Sequence, residues 1–332
     1  MLDTVSTPRT SKIVHFESGF VFADENFPLD VSTWKNHPDY PMHTHDFSEI
    51  VIVIEGSGIN MVGEEEFRIN AGDLFVLDGR HPHGYRETKD LALINITFDR
   101  SLLERVEQNM FEMPGYQALF VVEPSIHRKR RFERHLRLSP EEMLKVKAHV
   151  DVMEWEIHQG DNRKARVFQE RSLDQTVVAS QLPGPEPGYQ LFALGHFYIL
   201  IALLSRLYHH RPSPGAEKTI RIGRALAHLE SHFTEPLDVD FLARLAGMSR
   251  RSFFRVFGEV TGKGPQGYLM HLRIMKAAKL LSFTEKNVTE TAFDCGFEDS
   301  NYFSRQFGQI MGVSPRQFKL RNFVPARVTP KS

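Results

Sequence analysis

The spacing of hydrophobic residues changes along the chain and divides it into three parts. Up to Phe98, short apolar runs alternate with turn signals such as Glu55-Gly56-Ser57-Gly58, which is typical of closely spaced β-strands. From about residue 100 the apolar residues recur at helical spacing, and residues 189–208 form one long apolar stretch. After a segment with proline and glycine at 211–217, helical spacing returns in short helices separated by glycines. The pattern predicts a β domain, a helical region and an all-helical end.

The same pattern sets the expected boundaries. We place the β domain at residues 1–100, the helical region at 101–210, a linker at 211–217 and the last domain at 218–322. Residues 117–127 are predicted to be a strand or an extended loop, and helices are expected at 100–111, 140–158, 161–176 and 189–208. The predicted strands of the β domain are 13–16, 20–23, 48–55, 59–62, 66–70, 74–77 and 92–98.

The last domain contains the same unit twice. Ala243 and Gly247 recur 49 residues later as Ala292 and Gly296. Beyond the turn the offset is 50 residues, and it relates Phe253, Phe257, Gly262 and Pro265 to Phe303, Phe307, Gly312 and Pro315. Each copy is predicted to be a helix, a turn with glycine and a second helix, which is the helix-turn-helix unit that places its second helix in the major groove of DNA.

In both predicted second helices, phenylalanines four residues apart mark the inward face, so the opposite face is exposed. Arginine and asparagine on that face can bind guanine, adenine or phosphate, and aromatic rings can meet thymine methyl groups. A solvated polar face is the alternative interpretation. The candidate DNA contacts are Arg250, Arg251, Phe254 and Arg255 in the first copy and Ser300, Asn301, Tyr302 and Arg305 in the second.

Residues 265–282, between the two copies, are predicted to form one amphipathic helix about 27 Å long. One turn of DNA is about 34 Å long. A helix of this reach can hold the two units against successive segments of the major groove on one side of the DNA.

The distribution of charge agrees with DNA as a partner. The 332-residue chain has a net charge of −1, but residues 217–332 carry 18 Lys and Arg against 11 Asp and Glu, a net of +7, and the remainder carries −8. A basic domain joined to an acidic remainder is expected when one domain binds phosphates.

Cysteine usage and hydropathy indicate a cytoplasmic protein. Cys295 is the only cysteine, so no intramolecular disulfide can form, which fits a reducing compartment. The first residues have no apolar core of a secretion signal. The apolar stretch 189–208 contains Gln190, His196 and Arg206, so we expect a buried or dimer-forming helix and no membrane partner.

Two segments of the β domain resemble the motifs of the cupin family. The spacing of His43-Thr44-His45, Glu49 and Gly56 matches the first motif, and Gly72 with His83 resembles the second. The second match is incomplete, because a proline is replaced by Asp78, a glycine is replaced by Arg80 and no asparagine follows the histidine. The resemblance implies a cupin-like β-barrel in this part of the chain.

These residues also indicate a binding site. His43, His45 and Glu49 alternate along one predicted strand and would share its inner face, where His83 of another strand can join them. Three histidines and a glutamate suit Zn, Fe, Mn or Ni. The other interpretations are an organic ligand held without metal and a polar interior whose groups bond one another.

Of these interpretations we expect the organic ligand, with no resident metal or other cofactor. Aromatic residues can stack on a sugar ring, and Arg80 or Arg86 can bind hydroxyls or a carboxylate. The candidate ligand-binding residues are Trp34, His43, His45, Glu49, Arg80, His83 and Tyr85.

The repeated domain resembles the AraC/XylS family of bacterial transcription regulators over roughly 100 residues. In that family a cupin-like N-terminal domain senses a small molecule and often dimerises, and residues 43–53 are similar to the rhamnose-responsive members. The family's base-contacting positions fall on Arg251, Phe254, Arg255, Asn301, Tyr302 and Arg305. The resemblance depends on Phe253-x3-Phe257, Gly262-Lys263-Gly264-Pro265, Ala292-x3-Gly296-Phe297, Tyr302-Phe303 and Gly312-Val313-Ser314-Pro315.

We therefore expect an α+β multidomain protein with an N-terminal cupin-like β-barrel, a helical dimerisation layer and a C-terminal all-α domain of two helix-turn-helix units. The resemblance implies a ligand-responsive transcription regulator, not an enzyme, that activates genes for the use of a sugar or a sugar acid. Its expected partners are double-stranded DNA, a small-molecule effector, RNA polymerase and a second copy of itself. The alternatives are a metal-dependent cupin enzyme with a regulatory DNA-binding domain and a ligand-independent architectural DNA-binding protein.

Overall fold

The computed structural model describes residues 13–22, 26–104, 110–126, 136–158, 186–210 and 217–322. Contacts divide the chain into a first unit, Met1–Glu107 with Ile126–Glu217, and a second unit, Gln108–Ser125 with Lys218–Ser332. The predicted helix at 161–176 and residues 211–216 of the predicted linker lie outside the described residues.

The first unit contains a sheet in which most of the predicted strands are found. Its strands are β1 (Val14–Phe16), β2 (Leu29–Trp34), β3 (Tyr40–His45), β4 (Ser48–Val62), β5 (Glu65–Asn70), β6 (Asp73–Asp78), β7 (His83–Phe98) and β8 (Leu136–Arg137). The predicted strand at 20–23 is wrong as far as residue 22, because α1 (Ser18–Val21) is a single helical turn closed by a hydrogen bond from the Phe22 amide to the Ser18 carbonyl. Residue 23 lies outside the described residues. Strands β2, β3 and β8 have no counterpart in the predicted set.

The helices fall into two groups. The first unit contains α2 (Ser101–Glu104), α5 (Pro140–His158) and α6 (Tyr189–His210). The last two agree with the predicted helices at 140–158 and 189–208. The predicted helix at 100–111 is confirmed only over α2, since residues 105–109 lie outside the described residues and residues 110–112 form a turn. The second unit contains α3 (Pro114–Tyr116), a π-helix (Gln117–Val122), most of α4 (Glu123–Ile126), α7 (Glu217–Ser231), α8 (Val239–Leu245), α9 (Arg250–Thr261), α10 (Pro265–Phe283), α11 (Val288–Asp294), α12 (Ser300–Met311) and α13 (Pro315–Asn322).

Strands β4 and β7 are long, and they pair with each other in antiparallel fashion along most of their length. The first half of β4 also pairs with β6 and its second half with β5, while β7 pairs with β3 through its first half and with β2 through its second half. Register shifts between Val53 and Ile59 mark bulges, which bend a strand. The two halves of the sheet thus form the walls of a cupin-like barrel.

Alternation along β7 separates the inside of this barrel from the outside. Tyr85, Leu91 and Leu93 belong to the inner apolar cluster. Phe98 lies on the other face and packs against Phe197 of α6, with ring centroids 5.2 Å apart. Helices therefore cover the outer face, and the inner face encloses the candidate site.

Helices α5 and α6 pack against each other and form the helical layer of the first unit. A reciprocal cap starts α5, since the Ser139 amide donates to the Glu142 carboxylate at 2.8 Å and the Glu142 amide donates to the Ser139 hydroxyl at 3.3 Å. Among the described residues, α6 alone is long and apolar enough to cross a membrane by length and composition, with a mean hydropathy of 1.6. The core helix of a layered domain meets the same criterion, and α6 buries Phe197, Leu200 and Leu204.

The predicted repeat is present as two similar helix pairs in the second unit. The first pair is α8 with α9, and the second is α11 with α12. Asp238 caps α8, Ser249 caps α9 and Asp299 caps α12, each by accepting a hydrogen bond from a backbone amide in the first helical turn. Asn287 and Glu290 form a complete capping box at the start of α11. Local hydrogen bonds thus fix where each helix of the repeat begins.

Arg273 on α10 ties the second helix pair to the chain that follows α7. Its guanidinium donates to the carbonyl oxygens of Phe233 and Glu235 at 2.6 and 2.7 Å, and it lies 5.8 Å from the ring centre of Phe297. Gly296, in the turn between α11 and α12, has φ +77° and lies so close to this segment that a Cβ would be 2.5 Å from the Thr234 carbonyl oxygen. Only glycine suits this position, because it adopts a positive φ without strain and has no Cβ to collide with Thr234.

Residues 110–125 provide part of the apolar interior of the second unit. Tyr116, Leu119 and Phe120 are each at most 2% exposed. Gly223 of α7 approaches this segment so closely that a Cβ would lie 2.6 Å from the Pro114 carbonyl oxygen. The prediction of a strand or extended loop at 117–127 is wrong where the chain is described, because these β-branched and aromatic side chains are buried on a helical segment.

Replacing Gly296 by alanine is expected to lower the free energy of unfolding by about 1–2 kcal/mol for the left-handed conformation and by about 1–3 kcal/mol more for the overlap with Thr234. Gly312→Ala is the matched control, because Gly312 has φ +73° and open space around its Cβ position. Chemical denaturation of the full chain compares the two variants. Equal losses would show that the contact with Thr234 contributes nothing.

Alanine at Gly223 is expected to destabilise the protein by about 1–3 kcal/mol, since its Cβ would overlap the backbone at Pro114 and Ala118. Glycine inside a helix is normally the less stable choice, by about 0.5–1 kcal/mol. Gly308→Ala, a helical position with open space around its Cβ, is therefore expected to stabilise. Thermal unfolding of both variants tests the packing, and stabilisation by Gly223→Ala would contradict it.

Candidate ligand pocket and DNA-binding face

Three histidines and one glutamate come together inside the barrel. His45 Nε2 lies 3.2 Å from His83 Nε2 and 3.4 Å from Glu49 Oε1, and His83 Nε2 lies 3.9 Å from Glu49 Oε2. His43 pairs with His83 in register, and one ligand atom from each of the three histidines fits within 4.8 Å. The prediction that His43, His45 and Glu49 lie on one strand is wrong, because β3 ends at His45 and Glu49 lies on β4.

The backbone fixes the tautomer of all three histidines. Each Nδ1 faces a carbonyl oxygen at 2.9–3.0 Å, that of Pro41 for His43, Phe47 for His45 and His81 for His83. A carbonyl only accepts hydrogen bonds, so each Nδ1 carries the proton and each neutral ring keeps a lone pair on Nε2. The nitrogen lone pairs of His45 and His83 are therefore directed into the same small space.

Burial determines the charges in this cluster. Burial raises the pKa of Glu49 to about 7 and lowers the pKa of His45 to about 4. Between these values both groups are uncharged, so their 3.4 Å contact joins a carboxylic acid to a neutral imidazole and is not an ion pair. Burial likewise lowers the pKa of His43. The cluster thus offers lone pairs without any positive charge of its own.

A divalent cation fits these donors. Two ligand atoms held at about 2.1 Å from one ion lie about 3–3.5 Å apart, and the distances from His45 Nε2 to His83 and Glu49 are 3.2 and 3.4 Å. An ion would also relieve the repulsion between the Nε2 lone pairs. The residues that could hold a metal are His43, His45, Glu49 and His83.

His45 is held in place from two sides. Its ring stacks on Phe47 with centroids 3.9 Å apart. On the other side a Cβ at Gly79 would lie 1.8 Å from His45 Nδ1, so the backbone of residue 79 contacts the ring directly. Main-chain hydrogen bonds join the His45 amide to Gly79 and the Gly79 amide to Phe47. The position of this ligand is therefore set before anything binds.

Aromatic rings line the space beside the histidines. His37 contacts Trp34 and Tyr85 with centroids 5.3 and 5.1 Å apart, and Tyr40 lies 5.0 Å from His43. Two of the predicted ligand residues, Trp34 and Tyr85, are in this group. His37 and Tyr40 were not predicted as pocket residues. Their position just before the His-x-His motif was the one feature of the sequence that could have identified them.

The two arginines considered for this site lie apart from the inner cluster. Arg80 is three-quarters exposed and ion-paired with Asp78 through Nη2 at 2.5 Å. Arg86 pairs with Glu66 at 2.5 Å and also with Glu87. The structure thus groups His43, His45, Glu49, His83, Trp34 and Tyr85 but does not bring Arg80 to them.

On α9, the predicted DNA contacts share one exposed face. Phe253 and Phe257 are fully buried, whereas Phe254 is 40% exposed. Arg250 pairs with Asp240 at 2.8 Å and lies over the Phe254 ring, and Arg255 pairs with Glu259 at 2.8 Å. Arg251 is exposed and makes no ion pair within the described part of the chain. This face presents cations beside an accessible aromatic ring.

Helix α12 exposes a less charged face. Phe303 and Phe307 are buried, and Asn301, Tyr302 and Arg305 are exposed, with Ser300 half-buried. Asp299 accepts hydrogen bonds from the amides of Asn301 and Tyr302 at 2.6 and 3.0 Å, which lower the pKa of its carboxyl group. Arg305 lies 6.0 Å from the centre of the Tyr302 ring. All four predicted residues are at or near the start of the helix on its outer side.

Comparison with known proteins gives two family matches. Along the chain they follow the same order as the barrel and the helix pairs. Residues 28–150 match an AraC-like ligand binding domain, and residues 242–321 match a helix-turn-helix domain. The chain is 28% identical to the HTH-type transcriptional activator RhaR of Pectobacterium atrosepticum over 86% of this chain and 87% of the relative. It is 29% identical to the HTH-type transcriptional activator RhaS of an Enterobacter species over 90% and 94% of the two chains.

Among solved structures, the DNA-binding domain of AdpA in complex with a target DNA is 33% identical, covers 30% of this chain and 91% of that chain, and has a TM-score of 0.29. The matched domains are regulatory ones, so the alternative of a metal-dependent enzyme is not supported. With its sensor and helix-turn-helix domains in this order, the chain belongs to the AraC family of transcription regulators.

Proposed function

We propose that this protein activates genes for carbohydrate use, holding a sugar-type effector in its barrel and binding DNA through both helix-turn-helix units. The observation that carries the DNA part is the pair of outward faces on α9 and α12, each anchored by two buried phenylalanines. Helix α10 has 19 residues and so is about 28 Å long, which suits two units on successive segments of the major groove.

The route between sensor and DNA-binding helices is proposed to run through residues 110–125. This segment belongs to the second unit, although the chain on either side of it, at α2 and β8, belongs to the first. An effector that changes the conformation of the barrel would thus act on the chain at both ends of this segment, which packs against Gly223 of α7. We expect this to shift a population between states that bind DNA or RNA polymerase well and poorly.

The helical layer is proposed to form a homodimer. Leu144 and Trp155 of α5 lie three helical turns apart and are 71% and 70% exposed. Phe192 and Ile199 of α6 lie two turns apart and are 60% and 51% exposed. These lines of apolar side chains, on the outer part of the layer, suit a second copy of the same surface. A regulator of this kind would act in the cytoplasm.

We further infer that the barrel holds a divalent cation beside the effector. The supporting observation is that all three Nδ1 atoms are committed to backbone carbonyls, which leaves the lone pair of each ring on Nε2. One ligand atom from each histidine lies within 4.8 Å of the others, and Glu49 lies 3.4 and 3.9 Å from the Nε2 atoms of His45 and His83. The cation would keep Glu49 ionised and could accept hydroxyl oxygens of a ligand in its remaining positions.

Arg251→Ala is expected to weaken binding to the DNA upstream of the protein's own gene about tenfold, and to reduce the dependence of log K on log salt by about 1, because one phosphate or guanine contact is lost. Asn301→Ala is expected to cost less. Fluorescence titrations at several salt concentrations measure both effects. Lys145→Ala removes the same charge from α5 and serves as the control. Equal losses for Arg251→Ala and either other variant would contradict the proposal.

Chelator-treated full-length protein is expected to take up about one Zn²⁺ or Ni²⁺ per chain, as a single site of nitrogen and oxygen ligands requires. His45→Ala and His83→Ala should lose this uptake. His37→Ala should retain it, because His37 is a buried histidine of the same barrel outside the cluster. Metal analysis after dialysis gives the stoichiometry. Equal loss in the His37 variant, or no uptake by the unaltered chain, would rule out the metal site.

A further inference from the structure

Asn60 is a buried polar residue without a partner. It lies on β4 and is fully buried, yet neither its Nδ2 nor its Oδ1 has a hydrogen-bond partner among the described residues. Phe67 and Tyr85 lie opposite it on the two neighbouring strands, and both belong to the inner apolar cluster. The Asn60 side chain therefore points into the barrel, where an unpaired amide is unfavourable unless something binds it.

The hydroxyl group of Tyr85 is in the same situation. Tyr85 is 4% exposed, its oxygen has no partner within the described chain, and it sits directly opposite Asn60 in the strand register. A phenol hydroxyl can both donate and accept a hydrogen bond. Two side chains that lie opposite each other on neighbouring strands thus present donors and acceptors to the same interior.

The chemistry of this subsite matches hydroxyl groups better than a carboxylate. No lysine or arginine is buried anywhere in the described residues. A carboxylate placed here would find no buried cationic side chain among the described residues and would leave the acceptor Asn60 Oδ1 unpaired. A hydroxyl both donates and accepts, and two neighbouring hydroxyls can pair with Asn60 Nδ2 and Oδ1 together. The partly buried rings of Trp34 and Tyr40 add apolar surface for the C–H face of a sugar.

We propose that Asn60 and Tyr85 form a subsite that binds neighbouring hydroxyl groups of a neutral sugar or polyol inside the barrel. This subsite rests on the proposed function, because it requires that the effector binds inside the barrel. It adds a specificity-determining residue, Asn60, and it selects the neutral sugar over the sugar acid at this position.

Isothermal titration of the full-length protein with L-rhamnose, L-arabinose, D-galactose and D-galacturonate tests this subsite. At least one neutral sugar is expected to bind more tightly than D-galacturonate. Asn60→Leu and Tyr85→Phe are each expected to weaken that sugar about tenfold to a hundredfold, because a buried hydrogen-bonding group is removed. Tyr208→Phe, at a fully buried tyrosine of α6, is the matched control and should bind as the unaltered protein does.

Stability of the sugar-free protein separates a ligand contact from a structural role. Asn60→Leu replaces an unpaired amide by an apolar side chain of similar size, so its melting temperature should stay the same or rise. Unchanged sugar affinity in both variants would overturn the subsite. A lower melting temperature of Asn60→Leu with unchanged affinity would also overturn it, because that result is expected if Asn60 only holds internal water. Tight binding of D-galacturonate alone would overturn the assignment of a neutral sugar but would leave the barrel as the ligand-binding domain. Binding of none of the four compounds would overturn both the subsite and the sugar-binding barrel.

Discussion

One guanidinium group fixes the geometry on which the DNA-binding unit depends. Arg273 lies on α10, which joins the two helix pairs, and its hydrogen bonds end on the carbonyls of Phe233 and Glu235 after α7. The same group covers Phe297 in the turn of the second pair, while Gly296 brings that turn against Thr234. Since α10 is a single continuous helix, the contact that orients the second pair also sets its position relative to the first. In the proposed arrangement, the spacing of α9 and α12 on DNA would follow from it.

The repeat was predictable because its signals are local. Glycine at the turns, capping residues before each helix and phenylalanines four residues apart are all visible in the sequence, and each corresponds to a hydrogen bond or buried ring in the structure. Residues 117–127 show the opposite case. Phe120, Val121 and Val122 favour a strand by intrinsic preference, but burial in the second unit stabilises a helical segment there. That burial depends on residues more than ninety positions away, such as Gly223, so no local pattern could show it.

The candidate pocket was partly predictable for the same reason. The His-x-His motif and Glu49 were visible, but the turn at Asp46 and Phe47 that separates them onto two strands was not. Asn60 was missed because a polar residue between Ile59 and Met61 suggests a solvent-facing position. Bulges between Val53 and Ile59 change the register of β4 and, with it, which residues face inward. Arg80 is the opposite case: it was expected in the pocket because it lies near the motif, but its ion pair with Asp78 holds it outside the pocket.

The two exposed faces of the repeat differ in how their charges are held before any DNA arrives. Arg250 and Arg255 are already paired with Asp240 and Glu259, and such exposed pairs contribute at most about 1 kcal/mol, so a phosphate can replace the carboxylate at little cost. The same carboxylates repel phosphates at a distance and so reduce non-specific attraction to DNA. Helix α12 has a single exposed arginine beside Asn301 and Tyr302 and can contribute little to the salt-dependent part of binding. In the proposed arrangement α9 would therefore supply most of the affinity for phosphates, and α12 would act mainly by recognising bases.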